Sequence, residues 1–341
     1  PTSKAAMAEW YQGTILRRLL PIPNNLVSSQ RFWDHMSYLD ADKISAIEQD
    51  LARTLIERFQ IDLSCLLYDT TNFFTFIDSF NDAPTLAQRG KSKEKRMDLR
   101  IVGLALLVTK DFHIPLFHHL YAGNIHDSTE FASVTETLVA RYRLFSQSVD
   151  GITLVYDKGN NSQQTQARLD ASPYHFVGSL SPVQHPDLLR IPRSRFHPLK
   201  GEDLDGVLAW RTRKHVLGAE RTILLTYNPE LFLTQAATIL RGLRKRTRKL
   251  RELQIHLAHP PTRGKPITVE SVHKQVQAIL SGRHMKELIE VSVSEKQGAP
   301  RLSYRVDQTA WNRLQHRLLG KNILFTDQDS WSDEEIVRTY R

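Results

Sequence analysis

The sequence predicts a mixed α/β fold: three antiparallel strands, then strands alternating with helices, with an inserted α+β segment and a helical segment in front. Three observations predict it. Residues 64–74 form a run of β-branched and aromatic residues with a single carboxylate, Asp69, set inside it. Residues 151–160 repeat the arrangement, with apolar or β-branched residues and Tyr156 running into Asp157 and then into turn residues. Between the two, residues 98–109 and 113–121 read as strands joined by a tight turn at Lys110 and Asp111, which completes a meander.

Taken in order, residues 1–60 read as helical. An amphipathic segment spans 9–20, a break falls at 21–25, and a second helix covers 29–36. Asp40 or Asp42 can cap a third helix over 43–59, with Ile44, Ile47, Leu51, Leu55 and Ile56 at helical spacing. The first core strand lies within 62–77. Residues 80–96 are a polar loop with Pro84, Gly90 and five basic residues, Arg89, Lys91, Lys93, Lys95 and Arg96. A helix is predicted over 128–145, with Phe131, Val134, Leu138 and Tyr142 on one face. The Asp157 strand, a polar helix over 162–169 and a strand over 174–180 follow. Prolines 182, 186, 192 and 198 then mark irregular chain, strands are expected over 206–213 and 222–227, and a long basic helix over 230–256. Residues 322–327 read as a returning strand. The organisation expected is a helical segment over 1–60, a core over 61–184 and 319–341, and an insertion over 185–318.

Composition bounds the function. The 341 residues carry 46 Lys plus Arg against 37 Asp plus Glu, a formal charge of +9, which favours a polyanionic partner. The single cysteine, Cys65, falls in a predicted buried strand, so a disulfide framework and a cysteine zinc site are excluded and a reducing cytoplasm is expected. The longest apolar run, residues 101–108, is far short of the roughly 20 residues a membrane helix needs. No Walker or dinucleotide glycine pattern and no Gly-x-Ser-x-Gly elbow occurs. The chain opens at Pro1, so its true beginning is expected to be missing or processed.

A lone Asp in an apolar strand loses hydration unless a metal, a charge or several donors compensate. Two strands that each deliver a carboxylate to one sheet can share divalent metal. The plainer reading of Asp69 and Asp157 is a strand-end Asp capping the next turn. Asp127 precedes a predicted helix, where N-capping competes with a metal or DNA contact. His118, His119 and His126 hint at zinc, but adjacent residues on a strand face opposite ways. Residues 241–251 carry charges all round the basic helix, with Arg244, Lys245 and Arg248 the expected DNA contacts, set against a solvated charged face. Lys158, beside Asp157, is a lesser phosphate contact. The loop over 89–96, beside the Asp69 strand, can position a DNA backbone without reading sequence.

In order along the chain stand Tyr68-Asp69-Thr70-Thr71, Gly90-Lys91-Ser92-Lys93 with Arg96 and Asp98, Ile114-Pro115-Leu116, Gly123-Asn124-Ile125-His126-Asp127 and Asp157-Lys158-Gly159. In this order they resemble bacterial insertion-sequence transposases of the DDE type, the IS-four-like group with its Tyr-Arg-Glu-Lys signature, over roughly residues 62–180 and again near 320. The resemblance implies a ribonuclease-H-like core that brings the first and fourth strands side by side. It also implies two Mg²⁺ (or Mn²⁺) ions held by Asp69 and Asp157, cleavage at transposon ends and strand transfer into target DNA. Double-stranded DNA, a homodimer on it and a cytoplasmic, nucleoid-associated location are the partners and place it implies. The N-terminal segment would help to hold end DNA, or act as a helical prop. Two divalent ions about 3.5–4 Å apart activate the attacking oxygen and stabilise the leaving one.

The third carboxylate of that family is a Glu about two helical turns after the Tyr-Arg start of the last helix, and here the sequence ends at Tyr340-Arg341. Glu334 and Glu335 come too early, and Ser332-Asp333-Glu334-Glu335 has capping-box spacing. The chain is therefore expected to be cut inside its last catalytic helix and inactive as it stands. The rivals are a nuclease of the same fold without strand transfer and a remnant that binds DNA without chemistry.

Overall fold

A computed structural model describes residues 3–77, 81, 83, 85–90, 96, 98–125, 151–259, 267–296 and 299–341. The predicted helix over 128–145, Asp127, His126, Lys91, Lys93 and Lys95 lie outside the described residues. The chain divides into two compact units, residues 1–125 with 137–148, and residues 126–136 with 149–341.

In the first unit the N-terminal helices are α1 (Met7–Gln12), α2 (Leu16–Leu19), α3 (Ser29–Met36) and α4 (Ala41–Phe59). The single amphipathic helix expected over 9–20 is instead two short ones, because α1 stops at Gly13, where the Gly13 N–H donates to Trp10 O and the Thr14 N–H to Tyr11 O. Asp40 caps α4 through a 2.8 Å bond from the Lys43 N–H, one of the two caps foreseen.

Strands β1 (Cys65–Thr75), β2 (Arg100–Thr109) and β3 (Pro115–Ala122) form the expected antiparallel meander, with β2 in the middle. The β2–β3 turn is wider than a Lys110-Asp111 turn. Phe112 and His113 take left-handed backbone angles there, so β3 begins at Pro115 and not at His113. Glu48 of α4 ties onto β3, its Oε1 accepting from the His118 N–H at 2.9 Å and lying 2.5 Å from His118 Nδ1.

In the second unit β4 (Thr153–Tyr156) runs parallel to β5 (His175–Leu180), with α5 (Gln163–Asp170) as the crossover. The sheet continues in the order β4-β5-β11-β8-β7-β6, where β6 is His197–Pro198, β7 Leu208–Val216, β8 Ala219–Tyr227 and β11 Lys321–Thr326. The returning strand foreseen at 322–327 is β11, antiparallel to both β5 and β8. Three antiparallel strands, then a parallel pair joined by a helix, is the ribonuclease-H-like order of elements, and the fold class is mixed α/β.

Tyr156, Phe176 and Phe325 fill the core of this sheet. Their ring centroids lie 5.3–6.2 Å apart, within the range where tilted and edge-on pairs are favourable. The Tyr156 hydroxyl is not stranded, since it donates to Gln166 Oε1 at 2.9 Å.

Residues 229–319 build a second core. Helices α7 (Pro229–Ala258), α8 (Val269–Ile279), α9 (Met285–Leu288) and α10 (Gln308–Arg317) pack with the hairpin β9 (Ile289–Lys296) and β10 (Ala299–Val306); a four-residue turn of helix, α6 (Pro186–Leu189), precedes them. The long basic helix is amphipathic and not charged all round. Ala236, Leu243, Leu250 and Leu253 form a buried stripe. Arg246, within the basic run, turns inward to donate to Ser281 O at 3.0 Å. A 30-residue helix needs such a stripe to be held by tertiary packing.

Candidate active site at Asp157

Parallel pairing of β4 with β5 sets Tyr156 opposite Gly178, so the next residues, Asp157 and Ser179, become neighbours. Gly178 leaves room for the core rings of Tyr156 and Phe325. A Cβ there would sit 2.5 Å from Phe325 Cε1. The Ser179 hydroxyl donates to Asp157 Oδ1 at 3.0 Å and accepts from the Lys158 N–H at 3.2 Å. Lys158 Nζ lies 3.5 Å from the same carboxylate oxygen.

Asp157 heads a single 3₁₀ turn, Lys158–Asn160, yet its side chain makes no capping bond to that turn. The carboxylate is 53% exposed. Partial desolvation pushes its pKa up, but the Lys158 N–H and ammonium and the Ser179 hydroxyl together outweigh it, and the group stays below the ordinary carboxylate value. It is thus ionised and open, the hard oxygen donor that Mg²⁺ prefers.

The final helix, α11 (Asp333–Tyr340), packs against β4, β5 and β11 and ends beside this carboxylate. The Tyr340 hydroxyl donates to Asp157 Oδ1 at 3.4 Å. Ser332 and Glu335 form the capping box foreseen: Ser332 Oγ accepts from the Glu335 N–H, and Glu335 Oε2 accepts from the Ser332 N–H at 2.8 Å.

A cleft of about 470 Å³ opens beside Asp157, with Lys158, Ser179, Lys321 and Tyr340 on its lining together with Arg246 and Arg283. None of its lining residues is acidic, so the cleft is cationic. Lys321 is 3% exposed and donates to Leu189 O at 2.9 Å; burial first, and the Arg193 charge second, bring its pKa down to about 8. Sequence reasoning missed Ser179, Lys321 and Arg283, because no local pattern marks residues that only the sheet and the second core bring together.

Asp69, in the other unit, is exposed on β1, while its neighbours Tyr68 and Thr70 are buried. The alternation of the strand, which turns Asp69 outward, therefore answers the hydration problem posed by the sequence. Asp69 Oδ1 accepts from the Thr70 N–H at 2.8 Å. Of the basic loop, Arg89 is exposed, and Arg96 pairs with Asp98 through Nε at 2.7 Å, which holds the Asp98 carboxyl down at about 2. Arg244, Lys245 and Arg248 are exposed on α7; Arg248 Nε is 3.6 Å from Glu252. His118 is engaged with Glu48, and among the described residues no group of three or more His, Cys, Asp or Glu is placed to hold a metal. No described helix is long and apolar enough to cross a membrane.

No protein-family model matches the sequence. No curated protein matches it either. Among solved structures, the chain is similar to a Mos1 transposase paired-end complex with left transposon end, at TM-score 0.24 and 8% identity, over 51% of this chain and 57% of that one. It is also similar to a piggyBac transposase synaptic complex with hairpin DNA, at TM-score 0.29 and 11% identity, over 63% of this chain and 44% of that one. The chain thus spans about half the length of these structures, and neither likeness assigns a role to any of its residues.

Proposed function

We propose that the chain is a DNA transposase of the DDE type, IS-four-like, which cleaves transposon ends in a metal-dependent reaction and joins the freed 3′-hydroxyl to target DNA. The observation that carries the reading is the state of Asp157: an exposed, ionised carboxylate at the end of a core strand, met by the last helix, whose partners Lys158, Ser179 and Tyr340 line a cationic cleft. The ordered motifs from Tyr68 to Gly159 support it from the sequence side.

Asp69 and Asp157 are the proposed metal ligands, both exposed carboxylates and so of the right donor type for Mg²⁺ or Mn²⁺. When bound, a pair of such ions would supply the activation of the attacking oxygen and the stabilisation of the leaving one. The chain's own residues have separable parts. Ser179 and Lys158 keep Asp157 ionised, and Lys158 and Arg283 offer positive charge to the phosphates of a DNA strand in the cleft. Arg89, Lys91, Lys93, Lys95, Arg96, Arg244, Lys245 and Arg248 are proposed as backbone contacts outside it. Double-stranded DNA is the proposed partner, with a homodimer as the acting form.

The test is cleavage of linear DNA bearing the element's ends, with and without Mg²⁺ or Mn²⁺, by the full-length protein and by its Asp69→Asn and Asp157→Asn forms. Metal-dependent 3′-hydroxyl ends that disappear in both variants support the reading. Cleavage that survives in both variants refutes it.

A further inference from the structure

The stretch of helix α11 over Asp333–Tyr340 is tied down by more than its own backbone. Side chains from elsewhere in the second unit hold both of its ends. At its start, buried Asp333 takes Arg211 Nη1 of β7 on Oδ1 and His197 Nε2 of β6 on Oδ2, each at 3.0 Å. The same guanidinium donates to Trp331 O at 2.6 Å and Asp329 O at 2.7 Å, so one side chain gathers the whole approach to the helix. Further along, Arg338 forks onto Asp203, with Nε to Oδ2 at 2.9 Å and Nη2 to Oδ1 at 3.0 Å, and also donates to Lys200 O at 3.0 Å. The Lys200 N–H in turn donates to Glu334 Oε1 at 2.9 Å.

These contacts exceed what starting a helix requires, since the Ser332–Glu335 box already does that. A buried carboxylate held by a guanidinium on one oxygen and an imidazole nitrogen on the other is strongly committed to one geometry, because losing the guanidinium leaves an uncompensated buried charge. A forked Arg–carboxylate pair adds direction as well as attraction. Both sets of contacts act on the helix that delivers Tyr340 to Asp157.

We infer that Arg211 and Asp203 are positioning residues, which lock α11 through Asp333 and Arg338 and so seat Tyr340 on the Asp157 carboxylate; the catalytic consequence rests on the function proposed above. Neither residue touches the reacting atoms. Their effect runs through the placement of one helix.

The experiment puts 3-fluorotyrosine at position 340 alone and follows its fluorine resonance beside DNA cleavage in the same samples. In the parent, Asp157→Asn shifts the resonance, which establishes that it senses the carboxylate. Asp203→Asn, an exposed change that the fold tolerates, and Arg211→Gln are both expected to move the resonance to the position of free tyrosine. Cleavage then falls roughly 10–10²-fold with DNA affinity unchanged, the size of loss expected from small misplacement. The swapped pair Asp203→Arg with Arg338→Asp restores resonance and rate together, which a general loss of stability would not do. An unmoved resonance in both single variants, or a released Tyr340 with full cleavage, overturns the inference. A full-length parent that cleaves no DNA removes the proposed function, and the fluorine signal then still decides whether the lock exists.

Discussion

The Tyr340 hydroxyl reaches Asp157 Oδ1 at 3.4 Å, so helix α11 meets the carboxylate that closes β4. Ser179 donates to the same oxygen at 3.0 Å, and Lys158 Nζ stands 3.5 Å away. Contacts elsewhere in the second unit hold helix α11 and the Asp157 carboxylate in place, and each makes a measurable demand.

Replacing Ser179 with Ala removes one of the interactions that lower the Asp157 pKa, so the group should titrate closer to the ordinary Asp value. The sign follows from linkage. A carboxylate with a lowered folded pKa adds stability above its unfolded pKa, and that contribution is lost as pH falls through the folded pKa. In Ser179→Ala the contribution is therefore smaller, and its loss is complete at a higher pH. Carbon-13 titration of the Asp157 carboxyl in both proteins measures the shift directly, and identical curves would show that Ser179 does nothing to the charge.

Lys321 behaves in the opposite sense. Its folded pKa is lowered to about 8, so between there and the ordinary Lys value the unfolded chain binds more protons than the folded one. Stability should accordingly rise as pH climbs above 8. Urea denaturation at a series of pH values from neutral to 10 is expected to show that rise in the parent and a flatter profile in Lys321→Met.

Gly201 sits at φ +127°, and a Cβ there would lie 2.2 Å from Arg338 Nη2 and 2.7 Å from Asp203 Oδ1. Gly201→Ala must strain its own backbone and push the Arg338–Asp203 pair apart. A cost of about 1–3 kcal/mol is expected. Amide exchange should quicken in residues 333–341 and stay unchanged in β4 and β5, the latter serving as the internal control.

Helix α7 separates packing from charge. Leu250, fully buried, should cost about 2–5 kcal/mol on truncation to Ala. The exposed Arg244, Lys245 and Arg248 should each be nearly neutral for folding when changed to Ala. If they contact phosphates, each change weakens binding to any duplex alike and lowers the salt slope by about one. Binding isotherms at several salt concentrations check this, and unchanged slopes in all three variants would mark the row as a solvated face.

Much of this was legible in the chain. The strands carrying Asp69 and Asp157, the caps at Asp40 and Ser332, and the returning strand at 321–326 follow from alternation, capping chemistry and β-propensity, all of them local. Gly90 and Gly123, singled out only by their place in motifs, prove to be a crossing of two backbones: a Cβ on Gly90 would fall 1.8 Å from Gly123 O. What was not legible depends on distant partners. The buried stripe of α7 hides among basic residues because seven-residue spacing leaves the rest of each turn free for Arg and Lys. The inward turn of Arg246 depends on Ser281, and the hold on Asp333 depends on Arg211 and His197, far earlier in the sequence.

The most direct test of the account substitutes Fe²⁺ for the proposed Mg²⁺ in the parent protein and lets ascorbate and peroxide generate radicals at the bound metal, so that the backbone is cut where the ion sits. The account predicts cuts beside both Asp69 and Asp157, lost together in Asp157→Asn. Cuts at neither position, or a pattern unchanged by Asp157→Asn, would contradict the assignment of these two carboxylates to a common metal-dependent reaction.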